Sequence, residues 1–185
     1  SHFSRRELQS EYLLDWSREK ISSVFEYQEQ ELNFINSQIE KIKAELEVLA
    51  LPKQAPAYGI CVGDVHSGNA HFSDAKEPTL FDFDQCGYGW RAFDIGKFMD
   101  VTYAWKMSSA VRQAFLDGYQ AIRQLSDREK HSIRTFTLTA RIWVMGINTS
   151  VAGDVVPYSW LTDEWLESKL ALLHQLDRND LDIIV

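Results

Sequence analysis

The sequence predicts a mainly α-helical domain with a small β-hairpin element. Three observations predict it: an apolar stripe at helical spacing before residue 51, short β-type runs punctuated by Gly, Asp and Pro between residues 57 and 84, and further helical patterns after residue 92. With 185 residues, 45% of them hydrophobic and 12% aromatic, the chain holds enough apolar surface for one ordinary globular core.

From about Glu7 to Leu51 the pattern is helical, and Leu32, Ile35, Ile39, Ile42, Leu46 and Leu49 recur at intervals of three and four. The stripe is too short for a sustained coiled coil, so it is expected to pack against the domain that follows. Leu51-Pro52 ends the helix, because the residue before proline is driven out of the helical region. Ala57–Val62 reads as a strand entering a Gly63-Asp64 turn, and Ala70–Phe72 and Thr79–Phe83 read as two strands joined by the turn formers Ser73–Pro78. Gln85–Arg91 reads as a loop. Helices are expected at Phe93–Lys106, Ser109–Gln124, Asp127–Thr149 and Leu161–Leu176, with Ser126 and Glu129 spaced as a capping box. Trp105, Trp143 and Trp165 are assigned to the core. The expected division is a helical lead-in over residues 1–56 and a lobe over 57–185 that carries loop, hairpin and helices.

The net charge of −8 disfavours a nucleic-acid partner and mildly favours cationic ones. No run approaches the roughly 18 apolar residues of a membrane span, so no membrane partner is expected. Cys61 and Cys86 lack a metal-type spacing and are expected as reduced thiols, which makes a cytoplasmic location the default.

Chemistry concentrates in residues 62–84. A turn centred between Ala75 and Lys76 pairs Phe72 with Thr79, Ala70 with Phe81 and Asn69 with Asp82. Opposed residues on an antiparallel pair share a face, with β-carbons roughly 4.5–5.5 Å apart. Asn69 and Asp82 would then meet on one cation, and magnesium, which keeps waters or phosphate oxygens, needs little more from a protein than one amide and one carboxylate. Alternation sends Asp82 and Asp84 to one side of the strand and Phe81 and Phe83 to the other, where the rings can bury. Asp84 is a candidate second or water-mediated ligand, or alternatively a cap on the next turn. Asp64, before the loop, is placed to orient a hydroxyl and accept its proton.

Val62-Gly63-Asp64-Val65-His66-Ser67-Gly68-Asn69, then Asp82-Phe83-Asp84, Gly87-Tyr88-Gly89 and Asp94-Ile95, resembles the aminoglycoside phosphotransferase and choline kinase superfamily from about Tyr58 onward. The resemblance implies the carboxy-terminal helical lobe of a protein-kinase-like fold. It implies Asp64 as the catalytic aspartate, Asn69 and Asp82 as magnesium ligands, His66 as a loop-ordering residue, and Asp94 as a buried aspartate tying the loop to the helices. Val62 departs from the histidine usual at its position. The activity implied is magnesium-dependent transfer of the γ-phosphoryl group of ATP or GTP to a hydroxyl of a small molecule, such as an aminoglycoside-, choline- or homoserine-like acceptor. Residues contacting the nucleotide are not assigned. Tyr88, Trp90 and the stretch Asp154–Trp160 are the expected acceptor contacts.

Residues 1–56 show no Gly-rich loop and no lysine in a β-branched run, so the amino-terminal nucleotide-binding lobe is expected to be absent. The chain starts at Ser1-His2, and the expectation is a lobe of a longer parent, with activity in the parent and not in this lobe alone. Surface uncovered by the missing lobe would permit self-association. Two rival readings remain. One is a non-catalytic kinase-like interaction module; the other is a calcineurin-like phosphoesterase opened by Asp64-Val65-His66, which finds no second ligand set after Gly153-Asp154.

Overall fold

The computed structural model describes residues 6–74 and 77–179. Strand β1 (Glu7–Leu8) leads into a π-helical segment, Glu11–Trp16, which continues as helix α1 (Ser17–Phe25), and helix α2 (Glu29–Leu49) follows. Strands β2 (Tyr58–Cys61), β3 (Ala70–Phe72), β4 (Pro78–Leu80) and β5 (Gly87–Trp90) come next. Helices α3 (Ala92–Ala104), α4 (Ser109–Ile122), α5 (Asp127–Ser150) and α6 (Asp163–Asp177) complete the described chain. The mainly helical class is the one the sequence predicts.

Three details of the first half differ from the sequence reading. The helical stretch from Glu7 to Leu51 is opened by a strand and divided at Gln28, whose φ of −97° and ψ of 65° are not helical. Each half keeps its own apolar face: Leu13, Leu14, Ile21 and Phe25 on one, Ile35, Ile39 and Ile42 on the other, all 2% exposed or less. Periodicity runs through such a break, because both halves repeat at the same interval. The stripe on α2 packs into the core, with Leu32, Leu46 and Leu49 at its margin.

The segment Gln85–Arg91 contains β5, the centre of a three-stranded sheet, parallel to β1 and antiparallel to β2. Its glycines hide it, since glycine weakens a strand pattern. They are there because β1 comes close: a β-carbon on Gly87 would lie 2.5 Å from the Arg6 carbonyl oxygen.

The β3–β4 hairpin pairs Ala70 with Leu80, His71 with Thr79 and Phe72 with Pro78. Phe81 N–H donates to the Asn69 carbonyl at 3.2 Å, which continues this register by one step. Asn69 therefore opposes Phe81, and the pairing of Asn69 with Asp82 is corrected by one residue. The expected turn centre, Ala75 and Lys76, lies outside the described residues. Phe81 and Phe83 do not bury; they are 46% and 44% exposed, because the hairpin is two-stranded and stands apart from the other sheet.

Helix α5 runs through the centre of the core. Phe136, Leu138, Ala140, Ile142, Trp143 and Met145 are each 1% exposed or less, and the Ser126–Glu129 capping box starts it. Helix α3 crosses it at contact distance, because Gly96 presents no side chain: a β-carbon there would sit 2.5 Å from the Phe136 carbonyl carbon. Trp143 is core, and Trp165 stacks on Phe25 with ring centroids 5.8 Å apart. Trp105 is not core. It is 52% exposed and meets the His66 ring edge-on at 5.7 Å.

Candidate active site

The loop from Val62 to Asn69 leaves β2 through Gly63, whose φ of +84° and close approach to the Gln85 carbonyl, 2.2 Å from where a β-carbon would stand, require glycine. The loop is anchored from below by Asp94 in the first turn of α3. Asp94 Oδ2 accepts from Val62 N–H and Oδ1 accepts from Gly63 N–H, both at 2.8 Å. Burial raises the Asp94 carboxyl to about 6, against the lowering by these two N–H groups and by Lys97.

That balance has a sign that can be checked. An unfolded Asp94 titrates near its ordinary 3.8, so the unfolded chain sheds its proton first and ionisation disfavours the folded state. Stability attributable to this group should fall as pH rises from 3.8 to about 6 and then stay level. Asp94→Asn should remove that slope and cost about 1–3 kcal/mol at neutral pH, because an amide must turn its NH2 toward one of the two loop N–H groups. Thermal melts of both forms across this range measure the two effects together.

Anchored in this way, the loop presents Asp64. Its Oδ1 lies 2.8 Å from Lys97 Nζ, and its Oδ2 lies 3.4 Å from His66 Nε2. His66 Nδ1 accepts from Gly68 N–H at 3.0 Å, which places the ring proton on Nε2, toward Asp64. Lys97 is 2% exposed and one helical turn beyond Asp94, so a single face of α3 grips the loop backbone and the loop carboxylate together. Sequence reasoning missed Lys97; the signal available was a charged residue within the apolar run of α3, three positions after an aspartate.

Asn69 is buried, at 9% exposure, and its Nδ2 donates to the Asp64 carbonyl oxygen at 3.1 Å. This leaves its Oδ1 without a protein partner among the described residues. Asp82 and Asp84 are exposed, and neither forms an ion pair among the described residues. Asp82 lies beyond the end of β4 with φ of 58°, in the left-handed region that aspartate tolerates better than most residues. Strand alternation therefore stops before Asp82, and the register shift does not carry it away from the loop. Asp64, His66, Asp82 and Asp84 line one cleft of about 420 Å³. Asn69 is not part of that lining.

The two cleft carboxylates without counter-charge suit a hard cation, which takes oxygen ligands, beside space for phosphate. Among the described residues no three His, Cys, Asp or Glu side chains gather as a metal cage, whereas a dinuclear phosphoesterase centre needs at least that many.

The far wall of the cleft is built from helices. It comprises Val101, Ala104 and Trp105 of the α3 end, Val144, Ile147 and Asn148 of α5, and Lys169 of α6. The expected acceptor contacts lie elsewhere: Trp90 Nε1 donates to the Leu51 and Pro52 carbonyls, and neither Tyr88 nor the stretch 154–160 lines this cleft. A helix that runs past the loop supplies the wall better than the segment following it in sequence.

Comparison with known proteins gives a family. The model of the phosphotransferase enzyme family matches residues 3–133. An uncharacterized protein of Synechocystis sp. is 38% identical over 169 residues, covering 91% of this chain and 46% of that protein. The amicoumacin kinase of Bacillus subtilis is 32% identical over 81 residues, 44% of this chain and 23% of that kinase. The chain thus spans about half or less of the length of the curated relatives it matches. Among solved structures, a microcompartment-associated aminopropanol kinase superposes with a TM-score of 0.75 at 18% identity, over 97% of this chain and 56% of that one. An amicoumacin kinase in complex with AMP-PNP, Ca2+ and Ami superposes with a TM-score of 0.66 at 18% identity, over 96% and 51%. At that identity these two superpositions establish a shared fold.

Proposed function

Because the chain belongs to the phosphotransferase enzyme family, we propose that it carries the reaction centre of a small-molecule kinase that moves the γ-phosphoryl group of ATP or GTP to an acceptor hydroxyl. The observation that carries this reading is the cleft itself, with Asp64 at its centre, two unpaired carboxylates on one side and a helical wall on the other. Asp64 receives the hydroxyl proton as the oxygen forms its bond to phosphorus, while the bond from phosphorus to the bridging oxygen of the nucleotide breaks. Lys97, 2.8 Å from Oδ1, and His66, 3.4 Å from Oδ2, fix the orientation of the carboxylate. His66 and Asp94 hold the loop in shape, the first through Gly68 and the second through Val62 and Gly63.

Asp82 and Asn69, with Asp84 beside them, are the residues that would hold magnesium. The ion supplies charge neutralisation at the phosphate oxygens. Binding of a complete nucleotide is assigned to the protein in its natural length, as are the cellular location and any self-association. Ile60 and Tyr88 of the three-stranded sheet and Phe72, Leu80 and Phe81 of the hairpin are exposed apolar side chains of the kind a further lobe would cover.

The test is nucleotide titration of the natural-length protein with and without magnesium. Asp82→Ala should weaken magnesium-dependent nucleotide binding by about tenfold or more, the loss of one charge-assisted contact. A dependence on magnesium equal to that of the unaltered protein would take Asp82 out of the site.

A further inference from the structure

The helical wall of the cleft adjoins a second cavity, of about 660 Å³, which shares Ala104, Arg141 and Lys169 with it. Its other charged residues are Lys106 and Arg112, and among the described residues no aspartate or glutamate lines it. Four cations around one cavity are unexpected in a chain of net charge −8. Among the described residues one of them is paired with an acid: Arg141 Nε donates to Asp100 Oδ1 at 2.7 Å. Arg112 lies over the Tyr103 ring at 4.4 Å and gives one hydrogen bond to the Met107 carbonyl. Lys169 has no ion pair among the described residues, and burial followed by the Arg141 charge lowers its pKa.

The buried hydrogen-bonding capacity around the two cavities is one-sided. Arg112 Nε and Trp143 Nε1 are inaccessible and have no hydrogen-bond partner among the described residues, whereas Arg141 Nη2 lies 2.7 Å from Asp100 Oδ1 in an ion pair. Both unpartnered atoms are donors. Unspent donors beneath a wall add to its positive potential, and guanidinium groups in pairs are suited to planar or tetrahedral oxyanions.

We infer that the acceptor of this phosphotransferase is an anionic hydroxyl compound, held by its carboxylate or phosphate group between Lys169, Arg141, Arg112 and Lys106 while its hydroxyl reaches Asp64. This rests on the phosphoryl-transfer reading, which it narrows: the cavity adjoins the cleft of Asp64 through Lys169, a residue common to both that forms no direct ion pair among the described residues. A cationic acceptor, which the acidic composition of the chain suggests, would meet the like charges of Lys169, Arg112 and Lys106 there.

The test is isothermal titration of the chain, without nucleotide, using glycerol phosphate and glycerate as the two anionic probes and glycerol and aminopropanol as neutral and cationic controls. The expected result is binding of one or both anions and of neither control. Lys169→Met should weaken that binding about tenfold or more, and Lys169→Arg should restore it. Because Lys169 is half-buried, circular dichroism accompanies each variant, and Lys106→Met at an exposed position provides a second reading of the same loss. Binding of glycerol phosphate alone assigns a phosphate ester, and binding of glycerate as well admits hydroxy acids. No binding of either anion, equal binding by Lys169→Met and Lys106→Met, or preference for aminopropanol overturns the inference. The outcome is separable from the reaction: anion binding without turnover in the natural-length protein removes phosphoryl transfer and leaves the cavity, whereas turnover of a cationic acceptor without anion binding does the reverse.

Discussion

Asp64→Asn in the natural-length protein is expected to lower turnover by about a hundred- to ten-thousandfold and to leave nucleotide affinity nearly unchanged. The substitution preserves size and one acceptor oxygen but removes the charge that takes the proton. It has a second consequence, because Lys97 lies 2.8 Å away and is 2% exposed. Leaving that ammonium without its counter-charge should cost on the order of 2–3 kcal/mol, somewhat less than for a fully buried pair because the Asp64 side chain is 31% exposed. Turnover must therefore be compared at a temperature where circular dichroism shows both proteins folded. A variant that is folded, binds nucleotide and turns over near the normal rate would remove Asp64 from the chemistry.

The largest effect on stability is expected at Arg141. Its Nε donates to Asp100 Oδ1 at 2.7 Å, and the two residues are 2% and 1% exposed. Burial raises the Asp100 carboxyl, and the Arg141 charge is the main influence opposing it. Arg141→Met should cost about 3–5 kcal/mol, because it strands a carboxylate in the core, and that is a large part of the 5–15 kcal/mol margin of an ordinary domain. Removing both charges, with Asp100→Leu added, should recover most of the loss. Urea unfolding of the single and double variants decides the matter: a single variant within about 1 kcal/mol of the original would mean that water reaches Asp100 and the pair is not closed.

The long helices were legible in the sequence because a repeat of 3.6 residues is local. The α2 stripe, the capping box at Ser126 and the boundaries of α5 all follow from neighbours within four positions. What was hidden depended on distant partners. Gly87 and Gly89 read as loop residues because the reason for them, the approach of β1, lies some eighty positions earlier. The hairpin register depended on a turn that spacing alone does not fix, so the expected pairing is one residue off, while Asp82, with left-handed φ, still lines the cleft. Lys97 and Arg141 were invisible as site residues for a related reason. Each is a charge among apolar neighbours of its helix, and its partner, Asp64 or Asp100, is fixed by packing rather than by helical spacing.

One helix, α3, carries Asp94, Lys97 and Asp100 at three-residue steps, and these touch the loop backbone, the loop carboxylate and the arginine of the second cavity in turn. In the proposed reaction it would act as a common ruler for donor and acceptor sides. Gly96 seats that ruler against the middle of α5 with no side chain between them, so a slide of the helix would carry both sides of the reaction the same way and their alignment would survive the motion. A one-residue insertion between Asp94 and Asp100 would do the opposite: it would turn the later marks by about 100° against the earlier ones and uncouple the two sides at once.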